Sequence, residues 1–322
     1  MTSTTTALVW GAGVTTARTL AEAVAELSAA IGGRVRVNVP MQELTTLRVG
    51  GPCDILIEPS TEAELRAAVV WCARTNTPIK VIGNGSNLLV GDKGIRGAVI
   101  KLVPNFRETK WFEGGVTAGA GVKLGKLIHD AAEHQLSGLE SVLGVPGTVG
   151  GALIMNAGTD VGSIGELVEE LYTLDRFNHE LYTRPSKEMK YGYRSCALRG
   201  ADVVITGVKL HLVPGDKEEI YSKMRRLGEK RASRQPLGSP TAGSVFKNPE
   251  GGPAAGKLLD LAGAKGKRIG GAYVSRKHAN WVINGGGATS ADLRALMDWM
   301  RDVVQTVHGV DLEPEIELSG EW

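Results

Sequence analysis

From Cys53 to Leu102 short apolar runs alternate with one longer amphipathic stretch. Asp54-Ile55-Leu56-Ile57 comes first, then a helix opened at capping-box spacing by Thr61-x-x-Glu64, then Ile79 to Ile82, a glycine loop, and Ala98 to Leu102. This order predicts a small α/β unit. A second unit is expected from about Val103 to Leu212, with a helix over Leu124 to His134 and β-branched strands such as Val203-Val204-Ile205-Thr206. A charged helix, Asp216 to Arg234, leads into a third unit that ends in a strongly amphipathic helix. There Leu293, Leu296, Met297, Met300, Val303, Val304 and Val307 form one apolar stripe, capped by Ser290. The stripe is core packing, not a cofactor contact. Leu312 to Leu318 alternates like a half-exposed strand, with Glu313 and Glu317 expected to face solvent. The chain has no repeat of fixed period, which excludes a solenoid or propeller.

Residues 1 to 36 read as an extension, with an Ala-rich helix over Thr19 to Ile31. Within it, Ala7 to Gly13 imitates a strand running into a dinucleotide-binding turn. Thr16 replaces the third glycine and no strand follows at βαβ spacing, so the match is read as a decoy.

Length changes the picture in one respect. Single cores stop growing near ~250–300 residues, so 322 residues imply several units. Thirty-seven Lys and Arg against thirty-five Asp and Glu give a net charge of +2, without the basic excess of a nucleic-acid grip. Cys53, Cys72 and Cys196 are far apart and form no CxxC pair, which points to buried thiols and neither a disulfide framework nor a zinc site; six scattered histidines add no metal site. No basic segment precedes an apolar block at the start, and no run nears the ~18 apolar residues of a membrane span. The expectation is a soluble, cytoplasmic protein that binds no membrane. Glycine is the outlier at 43 residues, clustered in short apolar contexts where backbone approaches a ligand.

Two clusters carry that chemistry. Gly83-Asn84-Gly85-Ser86-Asn87-Leu88 follows the strand Lys80-Val81-Ile82, and its small residues let backbone N–H groups converge on an anion such as a diphosphate. Val145-Pro146-Gly147-Thr148-Val149-Gly150-Gly151 is a second such loop, about sixty residues on. Together they predict one extended nucleotide lying between the units. A third constellation, Gly243-Ser244-Val245-Phe246-Lys247-Asn248, sets a hydroxyl beside an ammonium and a carboxamide, downstream of Arg231 and Arg234. Lys257, Lys277 and His278 add positive charge, which suits a phosphate- or carboxylate-bearing small molecule. GxSxG, HExxH and Walker signatures are missing.

Read together, Thr45-Thr46-Leu47-Arg48-Val49-Gly50-Gly51, the two glycine loops, Met155-Asn156-Ala157-Gly158, Tyr191-Gly192-Tyr193-Arg194, Gly243 to Pro249, Lys277-His278-Ala279-Asn280 and Leu312 to Ile316 resemble the UDP-N-acetylenolpyruvoylglucosamine reductase family. The resemblance runs from Thr45 to Gly320. It implies an α+β protein: a two-part FAD-binding region of the vanillyl-alcohol-oxidase/PCMH type (37–102 and 103–213), a smaller substrate-binding domain (214–309) and a final strand (310–322) returning to the FAD-binding part. It implies bound FAD held by Gly83, Asn84, Gly85, Ser86, Asn87, Leu88, Val145, Pro146, Gly147, Thr148, Gly150, Gly151, Asn156 and Arg194, with NADPH as hydride donor and a UDP-sugar as substrate. Arg194, Ser244 and Glu315 fall at the family's catalytic arginine, proton-donating serine and glutamate. Tyr193, Arg234, Lys247, Asn248, Lys277 and His278 are candidate substrate contacts.

The stretch between Arg194 and Ser244 lacks the tyrosine-bearing insertion with which one subgroup covers the uridine, so the chain is similar to the other subgroup. Cys196 and Glu317 stand where other polar or basic residues are expected. A monomer is expected. A competing reading is an FAD-dependent oxidase or dehydrogenase of a small alcohol or hydroxy acid; it keeps both glycine loops but has no use for the arginine, serine and late glutamate as a set. A non-catalytic nucleotide-binding module predicts flavin that NADPH cannot reduce.

Overall fold

A computed structural model describes residues 20–32, 34–102 and 105–322. The Ala7 to Gly13 segment lies outside them, and the helix expected from Thr19 is described as α1, Leu20–Ala30.

The first sheet has the order β1 (Val35–Pro40), β2 (Pro52–Ile57), β5 (Ile95–Lys101), β3 (Ile79–Ile82); β2, β5 and β3 run parallel and β1 antiparallel. β2 and β5 are mostly buried on both faces, which is why Ile55 to Ile57 and Ala98 to Ile100 read as continuous apolar runs, whereas β3 is half-buried and β1 largely exposed. Ile55, Ile57, Ala98 and Ile100 pack under α1 and α2 (Glu62–Arg74), while Cys53, Leu56 and Val99 meet Met41 and β4 (Leu88–Val90) on the other side. Thr61 caps α2 by accepting from the Glu64 N–H, but Glu64 does not close the box on Thr61. Its carboxylate accepts from Ser60 N–H and from Arg34, both at 2.6 Å.

An antiparallel sheet follows. Around the central β13 (Val203–His211) it sets β11 (Val168–Asp175) and β12 (Leu181–Pro185) on one side, β7 (Gly115–Gly119) and β6 (Thr109–Phe112) on the other. The apolar face of α3 (Leu124–Glu133) and the short α4 (Val149–Ile154) close it, and one continuous core joins it to the first sheet. Two short pairs, β8 (Leu136–Ser137) with β14 (Val213–Pro214) and β9 (Gly158–Thr159) with β10 (Gly162–Ser163), trim its edges.

After the charged α5 (Lys217–Arg234), a second core gathers Val245, Phe246, α6 (Ala255–Leu261), the sheet β15 (Arg268–Ile269), β16 (Ala272–Val274), β17 (Val282–Asn284), and α7 (Ser290–His308). Leu47, Val49 and Leu89 join this core from the first half of the chain. The last strand, β18 (Glu317–Ser319), lies parallel to β4 beside the glycine loop. The strand expected over Leu312 to Leu318 is therefore shorter and later, and the preceding residues pair through one bridge, Phe246 to Pro314. Neither flanking glutamate is free: Glu313 pairs with Lys247 and Glu317 with Lys80.

The cap of α7 needs correction. Thr289, not Ser290, is the N-cap, and it exchanges bonds with Asp292 in a capping box. Ser290 is the first helical residue, fully buried, its hydroxyl without a partner; its N–H and that of Ala291 donate to the Asp92 carboxylate at 2.8 and 3.0 Å. The apolar stripe also ends earlier than read, since Val307 is exposed beside the terminating Gly309. Thr289→Ala is expected to cost about 1 kcal/mol of stability through the lost cap, whereas Ser290→Ala removes an unpaired buried hydroxyl and leaves stability unchanged or higher. Denaturant melts of both variants check the assignment; the reverse order would restore Ser290 as the cap.

Candidate active site

The two glycine loops lie against each other. Gly83 follows β3 directly and faces Thr148 so closely that a Cβ there would sit 2.3 Å from the threonine hydroxyl. The Ser86 hydroxyl donates to the Pro146 carbonyl at 3.0 Å, and Gly147 takes φ +128°, a backbone that only glycine adopts without strain. The distribution of amides is more telling than the turns. Val149 and Gly150 N–H donate to Val122 and Ala120 carbonyls, both at 2.9 Å, and Gly151 N–H to the Thr148 hydroxyl at 3.4 Å, so the start of α4 is already satisfied. Among the described residues, the N–H groups of 83 to 87 and of Gly147 and Thr148 donate to nothing in the protein. Seven free amides on two apposed loops form an anion cradle, and the donor set fits a dinucleotide diphosphate.

Leu88 and Val145 support this cradle from below: Leu88 is buried with Met41 and Val99, and Val145 packs on the main core. Asn156, expected beside the cofactor, has both ends of its carboxamide engaged within the protein, donating to the Gly192 carbonyl at 2.8 Å and accepting from Gly165 N–H at 3.0 Å. It braces the turn Tyr191 to Ser195, in which Arg194 is held at φ +52°.

That turn aims Arg194 at the C-terminal segment. Its Nε donates to Glu315 Oε1 at 2.6 Å and its Nη2 to the Gly158 carbonyl at 3.1 Å, with the guanidinium over the Tyr193 ring. Burial pushes the Glu315 carboxyl above the ordinary carboxylate range, although Arg194 pulls it down. The pairing and the upward direction pull against each other; only Oε1 is bonded, so desolvation is the larger effect.

Ser244 reaches the same place by backbone pairing. Val245 N–H donates to Asn280, and the Val245 carbonyl accepts from Glu315 N–H at 2.7 Å, so Ser244 stands one residue from the glutamate's partner. Asn280 fixes this strand through both its amide groups, donating to the Phe246 carbonyl and accepting from Phe246 N–H. The Ser244 hydroxyl is half-buried and, among the described residues, bonded to no protein group. Asn87, at the end of the first glycine loop, donates to the Glu315 carbonyl at 2.9 Å. Arg194, Ser244 and Glu315, far apart in sequence, thus converge at the end of the cradle.

The expected substrate contacts divide. Tyr193 is exposed and its hydroxyl accepts from Asn248 N–H at 3.3 Å, bridging the two cores, while the Asn248 carboxamide caps α6 through Ala255 N–H. Lys247 reaches Glu313 at 2.5 Å. Arg234 is exposed at the end of α5, and Lys277 donates to the Ala232 carbonyl there while lining a cavity of about 380 Å³ with Arg268, Tyr273 and Arg276. His278 is half-buried; its Nδ1 accepts from Asn280 N–H, and burial lowers its pKa. Asn280 was visible in the sequence only as part of a motif, and Arg231 only as half of the basic pair with Arg234 ahead of the Ser244 constellation. Arg231 donates to the Gly144 carbonyl at 3.0 Å beside the second glycine loop, keeps its buried Nε unpartnered, and has Arg194 in its surroundings. Cys196 is buried, its sulfur accepting from Leu198 N–H, and burial pushes the thiol up. Among the described residues no His, Cys, Asp or Glu cluster suits a metal, and no helix is long and apolar enough to cross a membrane.

Residues 53–175 match the family described as FAD binding domain, and residues 235–319 match the UDP-N-acetylenolpyruvoylglucosamine reductase C-terminal domain. The chain is 42% identical to the UDP-N-acetylenolpyruvoylglucosamine reductase of Moorella thermoacetica over 92% of its own length and 97% of the relative's. Its structure resembles that of the UDP-N-acetylenolpyruvylglucosamine reductase of Thermus caldophilus, at TM-score 0.77 and 38% identity, covering 88% of this chain and 99% of the other. The BBE-like 1 protein of Physcomitrella patens shares the fold alone, with TM-score 0.52 and 13% identity over 90% of this chain and 89% of that one.

Proposed function

The chain belongs to the UDP-N-acetylenolpyruvoylglucosamine reductase family, and on that basis we propose that it reduces UDP-N-acetylenolpyruvoylglucosamine to UDP-N-acetylmuramate with NADPH through bound FAD. The observation that carries the reading is the convergence of Arg194, Glu315 and Ser244 at the end of a cradle of free amides. FAD, held by the free amides of 83 to 87, Gly147 and Thr148, would supply hydride transfer between NADPH and the substrate.

The residues supply position, charge and a proton. Reduction of the enolpyruvyl double bond adds hydride at the vinyl methylene carbon, leaving negative charge on the neighbouring carbon and, by delocalisation, on the carboxylate. Arg194 clamps that carboxylate: its planar fork is oriented by Glu315 and Gly158 before substrate arrives, so charge that grows in the transition state meets a fixed donor. Ser244, free of protein partners, gives its proton to the carbanionic carbon, completing one hydride and one proton across the double bond. Glu315, held towards its neutral form by burial, shares the guanidinium without neutralising it. Lys247 and Asn248 lie next along the strand and Arg231 beside the second loop, which suits them to the carboxylate and diphosphate ends of the UDP-sugar. The enzyme acts as a cytoplasmic monomer in the supply of peptidoglycan precursors.

The test is spectroscopic. The purified protein should be yellow, bleach on anaerobic NADPH, and regain colour on addition of the enolpyruvyl substrate; colour that NADPH leaves unchanged would overturn the reading. The cradle has its own test in two glycines. At Gly151 the nearest atom to an added Cβ is 3.6 Å away, so the protein itself accommodates a side chain there, whereas Gly147 is conformationally committed. Gly151→Val should therefore lower flavin occupancy at unchanged apoprotein Tm, and Gly147→Val should lower both. Full occupancy in both variants would remove the second loop from the cofactor site.

A further inference from the structure

The β9–β10 hairpin is anchored everywhere except at its tip. At its base the Gly158 carbonyl accepts from Arg194 Nη2 at 3.1 Å. Along its sides the Thr159 hydroxyl donates to the Ser141 carbonyl at 2.6 Å, and Glu166 accepts from both the N–H and the hydroxyl of Ser163 at 2.9 Å. The tip, Asp160 and Val161, is exposed. From it the Asp160 carboxylate reaches across to the end of α5, where it pairs with Lys230.

That helix end carries more positive charge than one carboxylate can satisfy. Lys230, Arg231 and Arg234 stand close together there, and Lys277 joins them by donating to the Ala232 carbonyl. Arg231 is wedged against Gly144, ahead of the second glycine loop, with its buried Nε unpartnered. Among the described residues the Arg234 side chain makes no ion pair or hydrogen bond. Lys230, by its hydrogen bond and charge, and then Arg234 hold the Asp160 carboxyl below the ordinary carboxylate range, and Asp160 is also the opposite charge that acts on Arg231. Yet the pair is loosely held. Asp160 is 63% exposed and Lys230 42%, and an exposed ion pair contributes little, because water screens it and both side chains must be ordered. A phosphate, with more charge and more acceptor oxygens in one group, competes well for the same donors.

We propose that Asp160 is a displaceable internal anion, holding against Lys230 and Arg234 the place that a phosphate group of the incoming ligand takes. The inference rests on the UDP-sugar and NADPH reading above and adds an entry step to it. Both ligands carry phosphate. The hairpin tip swings off α5 as that phosphate arrives, while the anchored base keeps Gly158 on Arg194. The carboxylate thereby makes entry conditional on phosphate charge, since a nucleoside without phosphate cannot replace the partner that Lys230 loses.

The experiment is calorimetric titration of the FAD-loaded protein with UDP, uridine, NADP+ and NAD+, none of which turns over alone. Asp160→Asn, at an exposed turn where folding is not at risk, should tighten UDP about two- to fivefold, the scale of one exposed ion pair, and leave uridine unchanged. The gain should shrink at high salt. Lys230→Met should weaken UDP and remove most of the Asp160→Asn gain in the double variant, because the cation to be freed is gone. Tightening of UDP alone assigns the place to the diphosphate of the sugar nucleotide, and tightening of NADP+ beyond NAD+ assigns it to the 2′-phosphate of the reductant. Glu229→Gln, next to Lys230 and without an ion pair among the described residues, controls for overall charge. Equal tightening by Glu229→Gln, a gain for uridine as large as that for UDP, or no gain for any phosphate ligand in Asp160→Asn overturns the displacement while leaving the functional reading intact. A wild type that binds neither UDP nor NADP+ overturns both.

Discussion

Ser244→Ala should leave reduction of the flavin by NADPH almost intact and slow reoxidation by the enolpyruvyl substrate at least ~10²–10⁴-fold, the range typical of losing a positioned general acid. The two half-reactions differ in one requirement: the second needs a proton at carbon and the first does not. The structure gives this contrast a physical basis. Ser244 is fixed by pairing on both sides, through Trp281 and through Val245 to Glu315, yet its hydroxyl is bonded to no described protein group. A group held firmly but left unpartnered can turn its proton towards substrate without breaking an internal bond. For the same reason the alanine variant should fold normally, and substrate affinity should shift by only about 0.5–1.5 kcal/mol. Anaerobic stopped-flow on each half-reaction separates the outcomes. Equal slowing of both halves would mean that Ser244 positions the flavin, and an unaffected second half would end its candidacy as proton donor.

What was legible in the sequence divides along a physical line. Strands β2 and β5 were readable because burial on both faces leaves the apolar runs Ile55 to Ile57 and Ala98 to Ile100, β3 because Ile79, Val81 and Ile82 flank a single Lys80, and α7 because its buried Leu293, Leu296, Met297, Met300 and Val304 keep helical spacing. Its first residue was misplaced by one, since Thr289 and Ser290 are equally good caps by type and only the buried setting of Ser290 excludes it. The glycine loops announced themselves by composition. What composition hides is which amides are already bonded: Gly150 and Gly151 look like phosphate ligands, yet their N–H groups serve Ala120 and Thr148. Long-range roles were equally hidden. Asn156 and Asn280 are carboxamides that brace the Arg194 turn and the Ser244 strand, and nothing in local spacing separates a brace from a ligand contact. Glu317 had no account in the sequence and finds one in Lys80, 237 positions away.

Arg194→Met should reduce the substrate-driven half-reaction by about 10²–10³-fold, the usual effect of removing a preorganised donor from developing negative charge, and weaken substrate binding by about 10–100-fold through the lost charged hydrogen bond. Arg194→Lys should recover little, because a single ammonium cannot hold Glu315, Gly158 and the substrate carboxylate in the geometry a guanidinium allows. Glu315 supplies the pH dependence of the same step. Its carboxyl is raised above the ordinary range by burial, so its neutral form persists to higher pH than that of an exposed glutamate. Once ionised, it competes with the substrate carboxylate for Arg194, and the second half-reaction should fall as pH climbs through the raised value. Glu315→Gln cannot ionise and should lack that limb. The sign for stability follows from the same shift: the folded pKa lies above the unfolded one, so ionisation disfavours the fold as pH rises from the ordinary carboxylate range through the raised value. The Tm of Glu315→Gln relative to the parent should therefore be more favourable at pH 8 than at pH 5. A glutamine variant that keeps the parent's falling limb in stopped-flow reoxidation, with the same Tm difference at both pH values, would show that Glu315 is ionised throughout and acts only to orient Arg194.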